Sequence, residues 1–100
     1  MKPQALLAEM VGTFVFLSCV LCTLSNTSES SYFLGPIVVM FGIVAGLYIS
    51  SSISGGHLNP AISIMMYFRG NIPLLSTIGY IISQIIGGLL ALVVHSYLIL

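Results

Sequence analysis

Ser52 to Asn71 reads SISGGHLNPAISIMMYFRGN. Asn59 can cap a helix there, and Pro60 suits the first helical position, where its missing N–H would have no partner anyway. Gly70-Asn71 is a stop signal. The spacing predicts a helix of about ten residues, roughly 15 Å long at ~1.5 Å per residue. That is half the ~30 Å hydrocarbon thickness of a bilayer. Such a helix can enter a membrane but cannot cross it.

Composition makes lipid the natural solvent on both sides of this stretch. The 100 residues are 58% hydrophobic and 4% charged, with Lys2, Glu9, Glu29 and Arg69 the only charged side chains. A soluble chain carries roughly a quarter charged residues. Crossing the bilayer takes ~20 mostly apolar helical residues, and three runs meet that length, at about 5–24, 32–52 and 73–98. Pro73 falls in the first turn of the last. The short helix and its preceding loop, about 53–68, lie between the second and third spans. The reading is therefore an all-α membrane protein, a single membrane domain over residues 1–100.

Irregular backbone before Asn59 would leave N–H and C=O groups unsatisfied in lipid, so at membrane depth it must be buried in protein or line water. A re-entrant loop lining a pore meets that condition, and a surface loop with an interfacial helix is the other reading. Spacing alone leaves both open. Gly42, Gly46 and Ser50 fall four apart on the second span, as do Gly79, Ser83, Gly87 and Ala91 on the third. Small residues at that spacing let helix backbones approach closely in lipid. His95 continues the third-span face, where packing is its expected role.

Lys2 precedes the first span and Arg69 lies between the second and third, whereas Glu29 lies in the first loop. The positive-inside bias places the N-terminus in the cytoplasm. The Asn26-Thr27-Ser28 triplet then falls outside, but such glycosylation triplets are common by chance. A signal-peptide reading of the first run is opposed by Glu9 within it and by the two spans that follow. Cys19 and Cys22 have no second pair to complete a zinc site or a disulfide framework, and packing between helices is their expected role. Zero formal charge and no basic run exclude a nucleic-acid surface. Glu9, His57, Gln84 and His95 form no nucleophile, base and orienter set, so no enzyme, metal site or cofactor is expected.

Ser54-Gly55-Gly56-His57-Leu58-Asn59-Pro60-Ala61 resembles the first NPA loop of the aquaporin (major intrinsic protein) family, which commonly reads SGxHxNPA between the second and third spans. Ala8 to Phe14, AEMVGTF, resembles the family's first-helix AExxGTF pattern. Tyr80 to Gly87, YIISQIIG, resembles its third-helix YxxAQxxG pattern, with Ser83 in place of Ala. The resemblance implies one repeat of a six-span fold built from two inverted repeats. The second repeat, with its own Asn-Pro, is missing here.

By resemblance, Asn59, Pro60 and Ala61 form the pore motif, and the carbonyls of Gly55, Gly56 and His57 form an acceptor ladder along the pore. The glycines also have a simpler reading, a tight turn alone. Glu9 would brace the loop backbone, although a Glu near a span end can also reach the interface. Gln84 would support the same packing, or make a helix contact without relevance to a pore. Aligned without gaps from Asn59, the family's aromatic/arginine filter position falls on Val39, usually Phe in strict water channels. Phe41, two residues on, could restore an aromatic through a local shift.

The resemblance implies a channel for water and small neutral solutes such as glycerol, excluding ions and protons. Its partners would be the lipid bilayer, a second channel half or another copy of this chain, and by resemblance a homotetramer of complete channels. The alternative is a non-conducting small membrane protein that associates with full-length channels.

Overall fold

The structure is a computed structural model and describes residues 2–24 and 31–98. Its four helices are α1 (Pro3–Leu24), α2 (Ser31–Ser54), α3 (Pro60–Phe68) and α4 (Leu74–Leu98), and no strand occurs among the described residues. α1, α2 and α4 are each long and apolar enough to cross a membrane. At nine residues, α3 is about 14 Å long. The Asn26–Ser28 triplet and Glu29 lie outside the described residues.

The helix ends depart from expectation by small amounts, each with a local reason. α1 begins at Pro3 rather than Ala5, since proline is at home in a first turn. α2 runs to Ser54, two residues past Ser52, which confines the irregular backbone to residues 55–59. α4 starts at Leu74, and Pro73 flanks it by accepting the Thr77 N–H and hydroxyl, both at 3.0 Å. α3 closes as its Gly-Asn signal requires. Gly70 takes φ +88°, its N–H reaches the Tyr67 carbonyl at 3.0 Å, and the Asn71 N–H reaches Met66 at 2.9 Å. This paired arrangement satisfies carbonyls left free at a helix end.

Small residues set how closely the spans approach. A Cβ on Gly46 would stand 2.8 Å from the Gly12 carbonyl oxygen, and one on Gly42 would stand 2.7 Å from the Cys19 Cβ. α2 therefore packs antiparallel on α1. On the other side of α1, a Cβ on Gly87 would collide with the Met10 carbonyl oxygen, and one on Gly88 would stand 2.9 Å from Leu17. Residue numbers rise together along this second contact, so α4 runs parallel to α1.

The interior is small and polar. Fully or nearly buried positions include Ala5, Ala8, Glu9, Thr13, Ser50, Ser63, Ser83, Gln84, Ala91 and His95, while Leu, Ile, Val and Phe side chains crowd the outside. A soluble protein distributes these residues the other way round. Lipid outside and close backbone packing inside account for the inversion.

Candidate functional site

The segment between α2 and α3 turns back on itself. Gly55 and Gly56 take φ +92° and +67°, a region that costs glycine nothing. Leu58 takes φ +58°, uncommon for a branched side chain. Its side chain accounts for the cost. It is 5% exposed, and its two methyl carbons would each lie 2.7 Å from a Cβ on Gly12 or Gly46. The space those glycines leave is filled by Leu58, which locks the loop into the crossing of α1 and α2.

Glu9 holds the same loop from α1. Its carboxylate accepts the Leu58 N–H at 2.8 Å and the Gln84 side-chain N–H at 2.8 Å on one oxygen. The other oxygen accepts the His57 N–H at 2.9 Å and the Ser54 hydroxyl at 2.6 Å. Four donors match the acceptor capacity of an ionised carboxylate, and Glu9 is 0% exposed. Tyr80 on α4 donates to the Ser54 carbonyl at 2.7 Å and stands edge-on to the His57 ring at 4.9 Å. Ser63 on α3 contacts His57 Nδ1 at 2.8 Å and accepts from Gln84 Nε2 at 2.9 Å. One connected set of polar groups thus ties all four helices to the loop.

The loop delivers Asn59 to the start of α3. Its carboxamide oxygen accepts the Ala61 N–H at 2.8 Å, so the amide nitrogen points away from the helix; Asn59, Pro60 and Ala61 are all exposed. A cavity of about 150 Å³ beside them is lined by Phe16, Ile43, Leu47, Gly56, His57, Leu58, Asn59 and Ile62. A larger apolar groove of about 570 Å³ lies on the other side, between α1 and α4, and Asn59 and Pro60 reach it too.

Of the residues singled out in the sequence, Glu9, Gln84, Gly56, His57, Asn59 and Pro60 converge on this loop. Gly55 opens the loop, and Ala61 follows it in the first turn of α3. Val39 stands apart, half-buried on α2, one turn before Ile43 on the Val39, Ile43, Leu47 face and outside the cavity lining. Phe41 lies across the helix from that face and is 65% exposed. Sequence reasoning gave no individual role to Ser54, Ser63, Tyr80, Gly12 and Leu58, although all but Ser63 fall inside the quoted family patterns. For Ser63 the available signal was its place four residues after the cap Asn59, a spacing that returns it to the same helix face.

Three spans with a re-entrant, Asn-capped half-helix define an integral, multi-pass membrane protein of the kind built from helical repeats. Residues 2–99 match the family described as "Major intrinsic protein". Aquaporin NIP1-1 of Arabidopsis thaliana is 36% identical over 92 residues, covering 88% of this chain and 31% of that protein. Aquaporin Z of Photorhabdus laumondii is 39% identical over 94 residues, covering 88% and 40%. Nodulin-26 of Glycine max is 32% identical over 92 residues, covering 88% and 34%. No solved structure gives a significant match. This chain belongs to the major intrinsic protein family, and it spans about a third of the length of curated relatives that it matches.

Proposed function

We propose that the chain forms one half of a transmembrane channel for water and small neutral solutes, a second half completing the pore. The observation that carries this reading is the orientation of Asn59. With its oxygen engaged by the Ala61 N–H, its amide nitrogen is free to donate to a solute oxygen at the tip of the loop. The N-terminus of α3 adds a positive end worth about half an elementary charge at the same point, a barrier to cations and protons but not to neutral solutes. The carbonyls of Gly55, Gly56 and His57 supply acceptors along the path. Complete channels assemble as tetramers, with the N-terminus in the cytoplasm.

Val39 makes the filter wide. A small apolar side chain in place of an aromatic leaves room for glycerol-sized solutes, and the place of Phe41 across the helix from the cavity-lining Ile43 and Leu47 supports that assignment. Stopped-flow swelling of vesicles carrying the full-length protein tests both levels. Water and glycerol flux are expected, with Val39→Phe cutting glycerol flux and sparing water. Water flux without detectable glycerol or urea flux would refute the wide filter, and vesicles with no water flux above lipid alone would overturn the channel itself.

A further inference from the structure

We infer that Ser63 is a positioning residue that fixes His57 as its Nε2–H tautomer, so the imidazole offers a hydrogen-bond donor, not an acceptor, beside the loop. Bond directions run outward from Glu9. Its carboxylate accepts four hydrogen bonds and has none to give. Gln84 must therefore turn its NH2 toward Glu9, and the second hydrogen of that NH2 points at Ser63 Oγ, 2.9 Å away. The reversed amide would set two oxygens against each other. Gln84 Oε1 is left buried without a partner among the described residues, a cost accepted to keep this orientation.

Ser63 is 0% exposed. With its oxygen receiving the Gln84 N–H, its own proton has one acceptor within reach among the described residues, His57 Nδ1 at 2.8 Å. A hydroxyl supplies one donor, and a neutral imidazole carries one acceptor nitrogen and one N–H. Nδ1 is thereby the acceptor and Nε2 carries the hydrogen. Nε2 lies on the side of Gly55, 3.7 Å from where a Cβ would stand, and no described residue takes it as a partner. The ring also lines the cavity next to Asn59. A solute in that cavity passes the Asn59 amide donor and an imidazole whose one free ring nitrogen is a donor. That consequence rests on the channel reading; the tautomer does not.

Nitrogen-15 NMR of histidine-labelled full-length protein in lipid bilayers at neutral pH reads the tautomer directly, because protonated and unprotonated ring nitrogens resonate far apart. A His57→Gln spectrum identifies the His57 signals. A protonated Nε2 and bare Nδ1 are expected in the native protein and in Ser63→Thr, with both tautomers present in Ser63→Ala. A native spectrum with the proton on Nδ1 would overturn the assignment, as would an unchanged tautomer in Ser63→Ala. The native spectrum alone decides the matter should Ser63→Ala fail to assemble. Water flux recorded on the same vesicles keeps the two readings apart, since a fixed tautomer in a non-conducting protein overturns the channel and leaves Ser63 in its role.

Discussion

Glu9 shows how one residue can be costly alone and stabilising in place. An ionised Glu near the centre of a lipid-embedded helix costs roughly 2.5 to 3.5 kcal/mol. Here the two carboxylate oxygens receive two backbone N–H groups, a serine hydroxyl and a glutamine amide. Glu9→Gln is not conservative at such a site, because its NH2 must face a donor on one side. Each buried donor left unpaired costs about 1–3 kcal/mol. Glu9→Gln is therefore expected to lower the unfolding midpoint in detergent, and Glu9→Ala, which strands the His57 and Leu58 N–H groups together, to lower it further. A Gln variant with the native midpoint would mean that the carboxylate is dispensable. At this scale the sequence was legible where a residue type is out of place: a charge in an apolar run, or an Asn-Pro pair before one. Ser54 and Ser63 were not, because serine in a membrane helix reads equally well as a small packing residue. Only the fold reveals that their hydroxyls point into the network.

Elements were the most legible level, since apolar run length and Asn-Pro or Gly-Asn punctuation are local properties of the chain. Which helix touches which is not local. The small faces on α2 and α4 were visible as four-residue spacings, but not that both pack on α1, one antiparallel and one parallel. Nor did spacing show that Gly12 and Gly46 make room for Leu58. The glycines nonetheless separate by what surrounds them. A Cβ on Gly87 would collide with the Met10 carbonyl oxygen and stand 3.2 Å from the Phe14 nitrogen, both backbone atoms of α1. Among the described residues, a Cβ on Gly35 would meet only Thr23, at 3.7 Å, in ordinary contact. Gly87→Ala is expected to push α4 off α1 and cost about 1–3 kcal/mol by overpacking. Gly35→Ala is expected to cost less, since its Cβ meets no backbone of another helix and carries only the smaller penalty of preceding Pro36. Equal midpoints for the two variants would show that close approach of α1 and α4 contributes nothing.

For the whole molecule, the parallel packing of α4 on α1 decides where the charges lie. α1 and α4 share a direction, and α3 descends from Asn59 to join the start of α4 through residues 69–73. Lys2 and Arg69 therefore sit at one end of the bundle, both exposed. Two cations on one face are a small bias by themselves, but the positive-inside rule counts cations in short segments close to the span ends, and both qualify. Three crossings also mean that any following unit of the same kind starts from the opposite face. Its re-entrant helix would then approach Asn59 from across the membrane, toward the groove that α1 and α4 leave open. Single cysteines at Lys2 and at Arg69, introduced into full-length protein in which Cys19 and Cys22 are alanine, test this geometry. A membrane-impermeant maleimide is expected to label both from the cytoplasmic side only. Labelling from opposite faces would break the parallel packing of α1 and α4, whereas labelling of both from outside would keep the fold and invert its orientation in the membrane.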